Sequence, residues 1–226
     1  MDSLLKRLKY YGIGFTIGLI FVIFFFQNRG CSWTPTNRVK TSILERVVVI
    51  PESESDFTSN DEALQKELKN YLENGDIDFG ASKKKDPNKF YKIDLKGHRS
   101  LFFTLPNESF ISAVYSREPK QEKLKGTARL LLFPETQDLI FMDTTDLLSC
   151  QLLGLGFKDE RHLQKELMKN GKVNFAKSNF TKEVVKPEHY VEFLSPKGNP
   201  IAVKAIWYKS KINVTAFSFA DSLNCQ

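Results

Sequence analysis

The longest uninterrupted apolar stretch of the chain lies near its start, at residues 10–26, YYGIGFTIGLIFVIFFF. It carries no charge over seventeen residues. At 1.5 Å per residue, a helix of this length spans roughly 26 Å, close to the thickness of the hydrocarbon core of a bilayer. Lys6, Arg7 and Lys9 precede the stretch, and Arg29 follows it. The pattern therefore predicts a transmembrane helix that interacts with the lipid bilayer through residues 10–26.

A cleaved signal peptide is the alternative interpretation of this stretch. The bulky residues 24–26, FFF, stand where a signal-peptidase site needs small side chains, which favours a retained anchor. A lipoprotein processed before Cys31 is poorly compatible with residues 28–30, NRG. Basic residues on the two sides of the span are nearly balanced, but short basic N-termini usually stay in the cytoplasm. We therefore expect residues 1–30 to form a cytoplasmic N-terminus and a single-pass anchor, with the body outside the cytoplasm.

Two glycines within the span, Gly14 and Gly18, lie four positions apart. A pair of small residues at this spacing allows two transmembrane helices to approach closely. A homodimer through Gly14 and Gly18 is the corresponding hypothesis, although glycine is also common in spans that do not dimerise.

A pattern of apolar and polar positions occurs twice in the body. Residues 64–82 read LQKELKNYLENGDIDFGAS, and residues 163–178 read LQKELMKNGKVNFAKS. Each begins with helical spacing, passes through Asn-Gly and continues with the alternation of a strand. Glycine tolerates the left-handed conformation that ends many helices, so each Asn-Gly predicts a helix end. The alternation predicts that Phe79 and Phe175 occupy equivalent buried strand positions.

Further elements are predicted around each copy. Residues 89–93 align with residues 188–192 as the next strand, and two more strands follow in each copy, at 100–105 and 110–115 in the first and at 201–208 and 212–219 in the second. Short helices are predicted upstream, at 35–39 and 147–151, with Thr34 and Asp146 as caps, and Asp159 is interpreted as a further helix cap.

The sequence thus predicts an α+β protein: an N-terminal transmembrane helix followed by two tandem helix-helix-antiparallel-sheet modules. The modules are expected at residues 31–118 and 144–226. A linker at residues 119–143 contains two strand candidates, 128–133 and 138–142, that are placed to bridge the two sheets.

The charge of the body does not indicate a nucleic-acid partner. The whole chain carries +6; residues 1–30 hold four of its 33 basic and one of its 27 acidic residues, which leaves +3 for residues 31–226. Strong nucleic-acid binders usually have a larger basic field. Cysteine is present three times, as Cys31, Cys150 and Cys225, without metal-ligand spacing. A disulfide between Cys150 and Cys225 is compatible with an extracytoplasmic body, and the sequence leaves it open.

No catalytic residue, metal ligand or cofactor is predicted. The three histidines, His98, His162 and His189, do not recur between the copies, and each is interpreted as a surface or strand-end residue. Ser82 and Ser178 do recur, but neither has an evident base beside it, so a role in a turn is favoured.

Aromatic residues give the one binding signal. Trp207 lies near the end of a predicted strand and is the candidate binding residue. Trp33 is expected at the lipid interface, a zone that tryptophan favours.

Several segments resemble an uncharacterised family of membrane-anchored Bacteroidetes proteins: NGDIDFGASKK, FFTLPNESFISAVY, DTTDLLSCQ and KPEHYVEF, with the N-terminal pattern that begins YYGIGFTIGLIF. Members of that family carry one or two copies of a small domain of unknown function, and the likeness covers nearly the whole chain. Some free-standing relatives are suspected to share the fold of small RNase toxins and carry a His and an Arg on the first helix. Here residues 37–38 are Asn-Arg and residues 150–151 are Cys-Gln. The resemblance therefore implies membrane anchoring and does not point to a particular activity.

From these observations we expect a non-catalytic, membrane-tethered binding or scaffold protein of the cell envelope. Its partner would be an unknown envelope protein or ligand. The alternative is a membrane-tethered hydrolase, nuclease-like or otherwise.

Overall fold

The computed structural model describes residues 2–28, 34–85, 89–119, 124–134, 139–141, 152–179, 186–209 and 211–218. The chain divides into two compact units, Met1–Val39 and Lys40–Gln226. Predictions for Cys31, Trp33, Asp146, Cys150, Cys225 and the helix at 147–151 lie outside the described residues.

The first unit contains α1, Asp2–Asn28. The apolar side chains of residues 8–24 that line it are exposed, including Phe15, Phe21 and Phe24. Residues Lys6–Phe24 are long and apolar enough to cross a membrane, a property that an N-terminal signal sequence shares. The predicted apolar N-terminal helix is therefore present. Its retention, its orientation and its pairing with a second copy stay predictions.

The described body contains four helices and eleven strands. The helices are α2 (Pro35–Leu44, which spans the boundary between the two units), α3 (Asp61–Asn74), α4 (residues 152–155) and α5 (Glu160–Asn170). The strands are β1 (Val47–Pro51), β2 (Asp76–Lys83), β3 (Phe90–Asp94), β4 (Leu101–Thr104), β5 (Ile111–Tyr115), β6 (Thr127–Leu132), β7 (Leu139–Phe141), β8 (Lys172–Asn174), β9 (His189–Leu194), β10 (Pro200–Tyr208) and β11 (Lys211–Ser218).

These strands form one mixed sheet in the order β2-β3-β4-β5-β1-β6-β8-β9-β10-β11-β7. Antiparallel pairing joins β2 to β5 in succession, and it joins β8 to β11 in the same way. Between these two sets, β6 is antiparallel to both β1 and β8. The predicted α+β class is confirmed, and the sheet is continuous through the body.

Two parallel pairs were not predicted from the sequence. β1 pairs with β5, and β7 pairs with β11 at the outer edge of the sheet. Every residue of β1 is buried, so the run VVVI at residues 47–50 has no alternation to identify it as a strand. Of the two strands expected to bridge the halves, β6 does so and β7 lies at the edge.

The register of the strands corrects the sequence alignment of β3 with β9. Ile77 of β2 pairs with Ile93, and Val173 of β8 pairs with Val191. All four side chains are buried. Residue 93 therefore corresponds to residue 191, whereas the sequence alignment had matched it to residue 192. Because side chains alternate across a strand, this one-residue slip assigns each of them to the opposite face.

The segments after these two strand starts fold into the same hydrogen-bonded turn. Oδ1 of Asp78 and Oδ1 of Asn174 each accept hydrogen bonds from the backbone N–H groups two and three positions later, at 3.0–3.1 Å. The hydroxyls of Ser82 and Ser178 donate to the carbonyls of the same two residues, at 2.5 and 2.7 Å. Each hydroxyl also accepts a backbone N–H from the neighbouring strand, at 3.0 and 2.9 Å. The turn role predicted for the two serines is confirmed.

Gly75 and Gly171 follow the last residues of α3 and α5, so the predicted helix ends are confirmed, but the predicted reason is wrong. Their φ angles are −75° and −67°, which are not left-handed. A Cβ at Gly75 would lie 2.6 Å from the carbonyl oxygen of Tyr71. At Gly171 it would lie 2.3 Å from the carbonyl oxygen of Leu167 and 2.7 Å from Cδ1 of Leu130. Glycine is therefore needed because the helix end and the sheet leave no room for a side chain.

The prediction of equivalent burial for Phe79 and Phe175 is wrong in one copy. Phe175 is buried, immediately after β8. Phe79 is half-buried, and its ring meets that of Tyr91 edge-on at 6.3 Å between centroids. The register of β2 shifts between Asp78 and Lys83, and such an irregularity redirects the side chains within it.

Candidate functional site

Trp207 lies near the end of β10, where it pairs with Ile212 of β11. The sequence left open whether its side chain is exposed. In the structure it is partly buried and packs against the apolar core. Alternation along β10 explains this placement, because Ala205 and Val203, two and four positions earlier, are also buried.

Arg46 is the residue that stacks on Trp207. It stands between the end of α2 and the start of β1, and its guanidinium carbon lies 5.0 Å from the centroid of the Trp207 ring. Burial lowers the pKa of Arg46, while the negative charges of Glu45 and Glu108 act in the opposite direction. A guanidinium over an indole at this distance is a cation–π contact, which is stronger where water is partly excluded.

Two side-chain donors of this pair have no acceptor among the described residues. They are Nε of Arg46 and Nε1 of Trp207, and both nitrogens are buried. No other buried side-chain nitrogen or oxygen in the described part of the chain lacks a hydrogen-bond partner. An unpaired buried donor costs about 1–3 kcal/mol, so two in contacting side chains indicate a place for an acceptor. We refer to Arg46 and Trp207 as the Arg–Trp pair.

The sequence points to Trp207 but not to Arg46. An available signal was the position of Arg46, immediately before the apolar run at residues 47–50. A charged residue directly before a buried strand lies close to the core. Nothing in the sequence, however, brings position 46 to position 207, because the two are joined only through the tertiary fold.

A second polar feature of the body is a buried pair formed by Ser109 and His189. Their side chains are fully buried, with Oγ of Ser109 2.7 Å from Nε2 of His189. Oγ of Ser109 accepts the backbone N–H of Ile111, so its proton is free to point at the imidazole. Nδ1 of His189 lies 3.3 Å from the carbonyl oxygen of Ala205 and donates to it.

Ser109 and His189 are close enough to act as a nucleophile and a base, but their surroundings are not those of a catalytic pair. The second nitrogen of His189 contacts a carbonyl rather than a carboxylate, and the ring packs on Phe110 at 4.1 Å between centroids. Desolvation lowers the pKa of His189 to about 3, with the Ala205 hydrogen bond acting the other way. The expectation that His189 is a surface or strand-end residue is therefore wrong in one respect: the residue stands at a strand end but not at the surface. It starts β9 and is fully buried, a polar contact that joins the two halves of the body.

The other histidines lie apart from both features. His98 meets the ring of Tyr71 edge-on at 6.1 Å, and His162 lies in the first turn of α5. The backbone N–H of His162 donates to Asp159, which caps that helix as predicted. Among the described residues, no three or more His, Cys, Asp or Glu side chains are grouped to hold a metal ion.

Comparisons with protein-family models, with curated proteins and with solved structures found no match to this chain. The function of this chain is therefore inferred from its own geometry.

Proposed function

We propose that this chain is a membrane-tethered, non-catalytic binding or scaffold protein of the cell envelope, with the Arg–Trp pair as its ligand site. The observation that carries the proposal is the presence of two buried, unpaired donors in side chains that stack on each other. A ligand oxygen that accepts from both would satisfy them. The positive charge of the guanidinium favours a carboxylate or a carbonyl for this oxygen.

We further propose that the body consists of two tandem α+β modules, residues 31–118 and 144–226, joined by residues 119–143. The same connectivity on the two sides of β6 supports this division. So do the turns: Gly97 and Gly198 have φ of +80° and +82° after β3 and β9, and Glu108 and Lys209 both have φ of 50° after β4 and β10. On the same grounds, we propose that the chain is related to the tandem-domain envelope proteins that its sequence resembles.

The two modules would differ at the ligand site. Phe103 pairs with Val114, as Ala205 pairs with Val214, so the position equivalent to Trp207 is Leu105. Leu105 is buried and has no polar group to offer. We therefore expect one ligand per chain.

Native mass spectrometry of the full-length protein in detergent tests the site. We expect a small-molecule adduct on the wild type, which is lost in Trp207→Phe and in Arg46→Met. Trp33→Phe is the matched control, because it removes the other of the two tryptophans and should keep the adduct. Absence of an adduct, together with a more stable Trp207→Phe protein, would show that the unpaired donors are a packing defect.

The tether is proposed to be retained, with the body outside the cytoplasm. Protease added to intact spheroplasts should then digest the body and leave the N-terminus. Survival of the body, or mature protein that starts near Cys31, would contradict this topology. Among the described residues, no atom lies within 4 Å of a Cβ built on Gly14 or Gly18, which leaves room there for a second copy.

A hydrolase, nuclease-like or otherwise, is the second candidate. The one observation that favours it is the contact between Ser109 and His189 at 2.7 Å. Both residues are fully buried, which keeps a substrate from the hydroxyl. Purified protein should leave single-stranded RNA intact with and without divalent metal; cleavage abolished by His189→Gln would promote this candidate.

A further inference from the structure

The tip of the β10–β11 hairpin presents an aromatic ring between two lysines. Tyr208 ends β10 with 45 % of its surface exposed. The ammonium nitrogen of Lys186 lies 4.2 Å from the centroid of the Tyr208 ring, and that of Lys209 lies 5.4 Å from it. Lys211 pairs with Tyr208 across the hairpin and is also exposed. We call Lys186, Tyr208, Lys209 and Lys211 the hairpin tip.

The hairpin tip carries positive charge that no described carboxylate pairs with. Within the described residues, no carboxylate lies within 4 Å of the ammonium groups of the three lysines of the tip. Glu188, close to Lys186 in sequence, pairs instead with Lys204 at 3.1 Å. Three like charges therefore remain together beside an exposed phenol.

Hydrogen bonds also join the two strands beside the tip. The side-chain amide of Asn213 is buried and donates to the carbonyl oxygens of Tyr208 and Lys211, at 3.1 and 3.0 Å. These hydrogen bonds close the turn around Lys209, whose φ is 50°. The corresponding turn after β4 is Pro106-Asn107-Glu108, with an acid where Lys209 stands. The basic aromatic tip is therefore a property of the second half only.

We propose that the hairpin tip binds the anionic phospholipid headgroups of the bilayer to which α1 tethers the chain. This inference rests on the tethering proposed above. Tyrosine favours the membrane–water interface, and lysines near an anionic leaflet are attracted to its surface. The tether keeps headgroups at high local concentration, so individually weak contacts suffice. The tip is separate from the Arg–Trp pair, because Trp207 and Tyr208 point to opposite faces of β10.

The test is amide hydrogen exchange of the full-length protein in two kinds of nanodisc, phosphatidylcholine alone and phosphatidylcholine with phosphatidylglycerol. Exchange over residues 206–213 should slow at least about fivefold in the anionic discs, the factor for a single lysine near such a surface. High salt should abolish the difference. The variant Lys186→Gln, Lys209→Gln, Lys211→Gln should lose the protection.

The matched control is Lys66→Gln, Lys165→Gln, Lys169→Gln, which removes three exposed lysines on helices. It has the same net charge as the tip variant and should keep the protection. Equal exchange in the two discs, or equal loss in both triple variants, would overturn the proposal. Protection by soluble glycerol phosphate in uncharged discs would overturn it too, in favour of a free phosphate ligand.

The nanodiscs also separate this proposal from the tethering itself. A chain that co-elutes with the discs but shows no protection is tethered and lacks a headgroup-binding tip. A chain that elutes apart from the discs is not tethered. The same exchange measured with phosphatidylglycerol vesicles then decides the tip alone: unchanged rates over residues 206–213 overturn it, and slowed rates support it.

Discussion

The buried His189 makes the stability of the body depend on pH in a way that one variant can isolate. The imidazole is fully buried and neutral, and its pKa falls from 6.5 to about 3 because burial disfavours the charged form. In the unfolded chain the same group takes up a proton near its ordinary pKa. Between these two values the unfolded state binds more protons than the folded state. The stability is therefore complete above pH 6.5 and is lost progressively as the pH falls toward 3.

The size of the effect follows from the two pKa values. Each pH unit within the window changes the free energy of unfolding by about 1.4 kcal/mol. Between pH 7 and pH 5, stability is lost mainly below the unfolded-state pKa of His189. The free energy of unfolding therefore falls by about 2 kcal/mol on account of His189. For a body of this size, that loss lowers the melting temperature by about 4–8 °C.

The assay is unfolding of the full-length protein in detergent, followed by circular dichroism at pH 7 and pH 5. His189→Gln is expected to be less stable at pH 7, but its stability should fall by about 2 kcal/mol less than that of the wild type on acidification. His98→Gln and His162→Gln are the controls for the loss of a histidine elsewhere in the body. If His189→Gln loses as much stability between the two pH values as the wild type, the imidazole is not held neutral by burial and the reasoning is wrong.

Two further predictions concern packing. Gly171→Ala should lower the free energy of unfolding by about 1–3 kcal/mol, because the added Cβ would lie 2.3 Å from a carbonyl oxygen. Gly198→Asn should change the free energy of unfolding by less than about 0.5 kcal/mol, because the space there is open and asparagine tolerates the positive φ. Equal losses in a chemical denaturation series would contradict the steric explanation. Phe175→Ala should cost about 3–5 kcal/mol and the half-buried Phe79→Ala markedly less, so a larger loss for Phe79→Ala would contradict the assigned burial.

The sequence by itself determined the features that depend on neighbouring residues. Residues 10–26 predict a long apolar helix by composition alone, and α1 includes them. The amphipathic spacing before each Asn-Gly predicts α3 and α5, and the alternation after it predicts β2 and β8. Asp159 was identified as a cap because capping uses a hydrogen bond only three residues long. Such signals are local, so they can be read without knowing the fold.

Only the tertiary structure decided the features that join distant parts of the chain. The parallel pairing of β1 with β5 depends on partners about sixty positions apart, and a fully buried strand has no alternation to reveal it. The burial of His189 depends on its pairing with Ala205 of β10 and on its contact with Ser109, eighty positions earlier. The Arg–Trp pair joins positions 46 and 207 through the packing of the core. These contacts depend on which surfaces meet when the sheet forms. No short stretch of the sequence specifies which surfaces those are.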